Sequence, residues 1–171
     1  MPIYNPRMPY TPIVATLGYA LSADKQQALM IHRNSRPDDL HFGKYNGLGG
    51  KLERDEDVVS GMRRELREEA NIEVTDLTLR GTISWPGFGK GGEDWLAFIF
   101  VINSWSGDPH SHNPEGTLEW VAVQRILDNS LNLWPGDHYF LPLVFGPDAR
   151  QFHGVMPYRD GQPVSWSYAW V

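Results

Sequence analysis

Three carboxylates in the segment Arg64-Glu65-Leu66-Arg67-Glu68-Glu69 are spaced for joint chemistry. If the segment is helical, Glu65, Glu68 and Glu69 stand at i, i+3 and i+4, and their side chains fall along one stripe. Glu65 and Glu69 then repel by roughly a few tenths of a kcal/mol, which calls for a counter-charge. A solvated acidic face is the plain alternative for any Glu-rich helix. The upstream run Tyr45-Asn46-Gly47-Leu48-Gly49-Gly50 tips the reading toward a site, because glycines let backbone approach a ligand closely. Mg²⁺ suits the need, as a hard cation that takes carboxylate oxygens together with phosphate and water. A like-charged cluster is also where a carboxylate pKa rises and a general base becomes available.

The elements that must hold these groups follow from periodicity. Val59, Met62 and Leu66 recur at helical spacing and predict a helix from about Asp57 to Ala70, with Asp55 as N-cap and Asn71 as its left-handed stop. Gly61 inside that helix costs about 1 kcal/mol against alanine, so close packing is expected there. Ile13 to Ala20 and Ala28 to Arg33 read as strands joined by the turn Ser22-Ala23-Asp24-Lys25. Glu73 to Trp85 and Trp95 to Ser104 are further strands around a glycine-rich loop, and Leu118 to Val123 is another. Asp137 to Phe145 reads as a short helix kinked at Pro142. Asp160-Gly161 predicts a hairpin between Phe152 to Tyr158 and Val164 to Trp170. Strands mixed with two helices make an α/β protein, a mixed sheet covered by helices.

Composition bounds the function. The 171 residues suit one domain, read here as residues 13–171 behind an extended proline-spaced arm, residues 1–12. A net charge of −6 argues against duplex nucleic acid or an anionic membrane as partner, while a phosphorylated small molecule remains open if metal offsets the charge. With no cysteine there is neither a disulfide framework nor a thiol nucleophile. The longest apolar run, Trp95 to Ile102, is far short of the ~20 residues of a membrane span. The start of the chain lacks the layout of a secretory signal, so a cytoplasmic location is expected. Nothing in the sequence marks a protein partner.

Gly50, Glu56, Arg64, Glu65, Leu66, Glu68, Glu69 and Ile72 fall where the Nudix box, G-x5-E-x7-R-E-U-x-E-E-x-G-U with U aliphatic, has its defined residues. Asn71 stands where that box has its second glycine, a mild departure given asparagine's left-handed tolerance. The chain thus resembles the Nudix hydrolases. The runs Tyr45 to Lys51, Leu133-Trp134-Pro135-Gly136-Asp137 and Gln151-Phe152-His153-Gly154-Val155 are similar to the branch that clears oxidised purine nucleotides, the 8-oxo-dGTP diphosphatases.

The resemblance implies an α/β/α sandwich with a mixed β-sheet between helices, and hydrolysis of a nucleoside triphosphate to monophosphate and pyrophosphate with Mg²⁺ or Mn²⁺. By position it assigns Glu65 and Glu69 as metal ligands with the Gly49 carbonyl, and Glu68 as a further ligand or water-activating group. Arg64 is implied to pair with Glu56 and fix the loop against the helix. Glu115 lies where a loop carboxylate often completes such sites, although a lone loop acid is more often simply solvated. Two alternatives stay open: a Nudix pyrophosphatase for a dinucleoside polyphosphate or nucleotide sugar, and a nucleotide-binding Nudix module without turnover.

A base pocket can be argued beside this. Trp134 can stack on a purine, and Asn46 offers an amide donor and acceptor. Asp137, if buried, can be a neutral carboxyl that both donates and accepts, although it reads nearly as well as an N-cap. Position matching adds Thr16, Arg33, Trp85 and Trp95 as walls, with the two tryptophans serving equally well as core. Arg33 and Lys51 are expected to touch the triphosphate in a secondary way. His153 reads as a packed or hydrogen-bonded histidine. Broad-specificity relatives carry two adjacent acids after Trp-Pro, whereas here Gly136 takes the first place, so 8-oxo-dGTP is expected over oxidised adenine nucleotides. An apparent insertion leaves Leu40 to Gly43 without an assigned role.

Overall fold

A computed structural model describes residues 8–171. Of the arm expected over residues 1–12, residues 1–7 lie outside the described residues, and residues 8–12 carry no regular element. The chain runs β1 (Ile13–Leu21), β2 (Gln27–His32), β3 (Tyr45–Asn46), β4 (Leu48–Lys51), α1 (Val58–Ala70), β5 (Glu73–Trp85), β6 (Trp95–Ser106), β7 (His112–Asn113) and β8 (Gly116–Ala122). It continues with α2 (Val123–Leu127), α3 (Asp137–Phe145), β9 (Phe152–Val155), β10 (Tyr158–Arg159), β11 (Gln162–Pro163) and β12 (Ser167–Trp170). The main sheet is ordered β12-β9-β5-β6-β1-β2-β8-β7, with β3 on β2 and β4 on β1. It is mixed, since β1 with β6 and β5 with β9 are parallel and the other pairs antiparallel.

Strand alternation assigns the two faces. Ala28 and Met30 of β2, with Ala97, Ile99 and Val101 of β6, pack toward Phe140, Leu141 and Val144 of α3. Leu29 and Ile31, with Phe100 and Ile102, pack toward Met62, Leu66 and Ala70 of α1. Period-two side chains on a sheet flanked by helices give the expected sandwich. Buried Arg80 donates to the Val144 and Leu143 carbonyls, tying the end of α3 to β5.

Several elements differ in detail from the sequence reading. The N-cap of α1 is Asp57, whose carboxylate accepts from the Val59 and Ser60 amides, and not Asp55. The buried stripe is Met62, Leu66 and Ala70 with Val58 beside it, while Val59 is exposed. Asn71 does end α1 at φ 58°. Gly61 is tightly packed, since a Cβ there would lie 2.6 Å from Leu52 Cδ1. The described residues contain three helices, because Val123 opens the single-turn α2 that periodicity is too short to reveal. In the C-terminal hairpin the long rungs are Phe152–Val155 against Ser167–Trp170. Asp160 at φ 51° and Gly161 at φ 74° reverse the chain inside the small β10–β11 pair, as a type I′ turn requires.

The glycine run forms strands rather than a free loop. β1 pairs with β2 at Ala20 and Leu21 but with β4 from Ala15 to Gly18, so the sheet divides along β1. Gly49 makes the second pairing possible: at φ 153° a Cβ would sit 2.0 Å from the Thr16 carbonyl oxygen. The cleft opened by this change of partner is where the candidate site lies.

Candidate functional site

A cavity of about 280 Å³ occupies the cleft, with β1 as its floor. Its lining includes an acidic group, in which Glu69 meets Gly49 and the charge of Glu115, with Gly50 beside them, and an aromatic group of Trp85, Trp95 and Trp134 around Phe88; Asn46 and Asp137 line it too. Thr16 and Arg33 also line it. Residues from β1, β3, β4, α1, β5, β6, the β7–β8 turn and the start of α3 thus converge on one space.

The acidic end is organised by helix α1. Arg64 grips Glu56 with two donors, Nε to Oε2 at 3.0 Å and Nη2 to Oε1 at 2.7 Å, and reaches Glu65 Oε1 at 2.9 Å. Its Nη2 also donates to the Lys51 carbonyl, which ties the loop before the helix to the helix itself. These carboxylates hold the guanidinium pKa above its ordinary value, so Arg64 is a permanent cation that positions Glu65. The Glu65 carboxylate occupies the space a side chain on Gly50 would take, 2.6 Å from an ideal Cβ. Burial leads in raising its pKa, against the opposing pull of Arg64.

Glu69, one turn on, accepts from the Gly49 amide at 3.1 Å. Burial first, then the charges of Glu115 and Glu65, push its pKa up to about 8. Glu115 is held by Arg33 Nη1 at 2.7 Å, and Arg33 also pairs with Asp39. Glu65 therefore has Arg64 and Glu115 has Arg33, while Glu69 has an amide alone among the described residues. Glu69, with Glu115 and Glu65 acting on it as charges and the glycine run beside it, suits contact with a hard divalent cation. Among the described residues no three acidic or histidine side chains are placed together so as to hold a metal ion by themselves.

Of the assigned residues, Glu56, Arg64, Glu65, Glu68 and Lys51 do not line the cavity; Glu65 stands against Gly50, which does. The Glu68 side chain is 60% exposed and meets Arg64 on the outer side of the stripe, away from the cavity wall. Lys51 is exposed, with its ammonium 5.6 Å from the Trp95 ring centre, and does not line the cavity. Arg33 lines it, but with its charge already matched by Asp39 and Glu115 it is not a free cation for phosphate.

At the aromatic end Asp137 is the first residue of α3 and does not cap it; the cap position is Gly136. Burial pushes the Asp137 pKa up to about 7, against the pull of a Trp134 backbone hydrogen bond and of Lys44. Trp134 donates from Nε1 to His41 Nδ1 at 3.0 Å. Thr16 Oγ1 and Trp95 Nε1 are buried in the wall without a hydrogen-bond partner among the described residues. An unmet buried polar atom costs roughly 1–3 kcal/mol, which a bound ligand can recover. Trp85 serves as core too, packed on Phe140 and Phe88. His153 accepts its packed role, 2.7 Å from Thr82 Oγ1.

Among the wall residues that sequence reasoning missed are His41, Phe88 and Tyr158. His41 comes from the insertion left unassigned; burial and then Arg33 lower its pKa, so it is neutral at pH 7. Phe88 rises from the glycine-rich β5–β6 loop and stands edge-on to Trp95, Trp134 and Tyr158. The four glycines of that loop were its only signal.

Comparison with known proteins agrees with this fold. The NUDIX domain family model matches residues 11–144. The oxidized purine nucleoside triphosphate hydrolase of Mus musculus is 31% identical over 122 residues, covering 71% of this chain and 74% of that protein. The uncharacterized Nudix hydrolase YvcI of Bacillus subtilis is 32% identical over 114 residues, covering 64% and 69%. The crystal structure of the mutator MutT protein from Bacillus halodurans superposes with a TM-score of 0.76 at 25% identity, covering 91% of this chain and 97% of that one. No helix among the described residues is long and apolar enough to cross a membrane. With its glutamate-lined cleft, its sheet and its sequence in accord, the chain belongs to the Nudix family, as a hydrolase of the MutT type.

Proposed function

We propose that the protein hydrolyses a nucleoside triphosphate to the monophosphate and pyrophosphate with the help of a divalent cation, Mg²⁺ or Mn²⁺, and that 8-oxo-dGTP or a related oxidised purine nucleotide is its substrate. The observation that carries this reading is the polarity of one cavity. A carboxylate cluster with too little counter-charge closes one end, and an aromatic wall with a few polar groups closes the other. A nucleoside polyphosphate has the same two-part chemistry, a polyanion at one end and a flat heterocycle at the other. The name of the mouse relative points to the same substrate class.

Glu65, Glu69 and Glu115, with the Gly49 carbonyl, would hold the cation. Bound there, it would neutralise phosphate oxygens and lower the pKa of a coordinated water. The chain's own residues do the rest. Arg64 keeps Glu65 in place, Arg33 keeps Glu115 in place, and a carboxylate of the Glu65, Glu68 and Glu69 set takes the proton lost by the attacking water. The exposure of Glu68 favours Glu65 and Glu69 for contact with the ligand. Trp134 stacks on the base, Asn46 orients its edge, and Asp137 reads a ring N–H.

The test is a panel of oxidised and normal nucleoside triphosphates, a dinucleoside polyphosphate and a nucleotide sugar, with products identified. Release of pyrophosphate and monophosphate from 8-oxo-dGTP ahead of the others is expected. Preference for a dinucleoside polyphosphate or nucleotide sugar would replace this substrate class, and binding without product would leave a nucleotide-binding module. Calorimetric titration of the triphosphate should show affinity collapsing in EDTA, since protein and ligand are both anionic; equal affinity with and without EDTA would remove the metal from the reading.

A further inference from the structure

Gly136 has no room for a side chain. A Cβ there would meet the Tyr158 hydroxyl oxygen at 2.1 Å and Met156 Sδ at 2.5 Å. The space immediately before Asp137 thus belongs to a phenol delivered from β10, far along the chain. Tyr158 is firmly placed. Its amide donates to the Pro86 carbonyl at 2.8 Å, its backbone pairs with Pro163, and its ring stands edge-on to Phe88 at 5.0 Å. It is 9% exposed and lines the cavity together with Asp137.

We propose that Tyr158 is a specificity-determining residue, its hydroxyl donating to a carbonyl oxygen of the substrate's base while Asp137 accepts from the adjoining ring N–H. The inference rests on the nucleotide reading above and specifies which edge of the base is read. Burial, and then the neighbouring Asp137 charge, hold the phenol pKa well above its ordinary value, so it stays a neutral O–H donor throughout the working range. Asp137 acts on it as a charge, and the Gly136 backbone N–H faces the phenol oxygen. The hydroxyl proton is then what Tyr158 offers to a ligand. A donor next to an acceptor complements a lactam edge, an exocyclic C=O beside a ring N–H. Guanine has one such edge and 8-oxoguanine has two. Adenine presents the reverse order, an exocyclic donor beside a ring acceptor, which leaves the tyrosine facing a donor.

The experiment compares Tyr158→Phe and Gly136→Ala with the wild type on 8-oxo-dGTP, dGTP and dATP. Phenylalanine keeps the ring contacts and deletes the donor; alanine at 136 pushes the hydroxyl aside with Tyr158 still present. Each variant should lower the ratio of kcat/KM for the guanine substrates to that for dATP by roughly tenfold, the scale of one lost buried hydrogen bond. The change should lie in KM, with a melting temperature close to wild type in Tyr158→Phe. Where a triphosphate turns over too slowly, inhibition constants of the matching monophosphates supply the ratio. A loss for 8-oxo-dGTP alone assigns the C8 edge, and a loss for both guanine substrates the C6 edge. An unchanged ratio in Tyr158→Phe overturns the proposal while leaving the nucleotide reading intact. Failure of the wild-type protein to hydrolyse or bind any of the three would overturn the nucleotide reading itself, and this inference with it.

Discussion

Around the acidic part of the cavity, Glu69 in its wall, Glu65 against Gly50 and the Arg64 that fixes Glu65 to Glu56 all come from residues 56–69, whereas the aromatic part draws Asn46, Phe88, Trp134, Asp137 and Tyr158 from separate elements. The first is set by the register of one helix and by short ion pairs. The second is set by where sheet and loops bring distant rings together. Chemistry and base recognition are thus carried by parts that can be altered independently. Substitutions at one end should change turnover without changing base preference, and substitutions at the other should do the opposite.

The harshest test of that independence is Glu69→Gln. The amide keeps the size of the side chain and removes its charge, so kcat should fall on the order of 10²- to 10⁴-fold, the range attached to a lost catalytic carboxylate. The protein should melt no lower, because a buried charge repelled by Glu115 and Glu65 is gone. The preference for one base over another should be kept. Pyrophosphate release and a thermal melt measure both; full activity with excess Mg²⁺ would remove Glu69 from the metal set.

The aromatic end should show itself in stability. Asp137 has a pKa near 7 in the fold against 3.8 for the free side chain, so the folded state binds the extra proton between those values. Stability from this group is fullest below about pH 4 and is lost as pH rises to 7, by on the order of 4 kcal/mol for a shift of about three units. Asp137→Asn cannot ionise. In EDTA, where Glu69 contributes equally to both proteins, the melting temperature of the variant minus that of wild type should grow from pH 5 to pH 8. A constant difference would mean that Asp137 ionises as freely in the fold as in the unfolded chain.

The same contrast explains what the sequence could disclose. Glu65 and Glu69 sit one helical turn apart, and Arg64 lies eight residues after Glu56, so a local pattern contains the acidic end almost whole. Even there Glu68, inseparable from its neighbours by spacing, turns outward, because three successive stripe positions cannot all face one cleft. Asn71 as helix stop and Asp160-Gly161 as turn were legible because backbone conformation alone selects those residues. His41 and Tyr158 were not. His41 reaches the wall through an insertion with no periodicity, and Tyr158 meets Gly136 only after the chain has crossed to β9 and back. The two strands within the glycine run were hidden because their pairing depends on β1 changing partners, a tertiary event.

A finer cut separates geometry from charge at the acidic end. Arg64→Lys keeps the cation but loses the two-pronged grip on Glu56 and the simultaneous reach to Glu65. Activity should drop roughly 10- to 100-fold, as for residues that orient metal ligands, with higher metal needed for half-maximal rate. The ratio between 8-oxo-dGTP and dGTP should not move. A shift in that ratio would show that the two ends communicate.

The smallest effect is the most informative about the base. Oxidation of guanine at C8 places a hydrogen on N7, turning an acceptor into a donor. An acceptor in the wall then favours the damaged base, and normal dGTP faces it with a mismatch. Asp137, its pKa pushed up to about 7 by burial, can supply that acceptor through a carboxyl oxygen. Trp134 offers a ring face, which every base can stack on, and its Nε1–H is already given to His41. Trp134→Ala should therefore weaken 8-oxo-dGTP and dGTP by similar factors and leave their ratio of kcat/KM unchanged. Asp137→Ala should lower that ratio by roughly tenfold, the scale of a buried polar mismatch. Equal losses for the two nucleotides in Asp137→Ala would mean that its carboxyl does not read the base, and discrimination would then have to come from Asn46 or Tyr158.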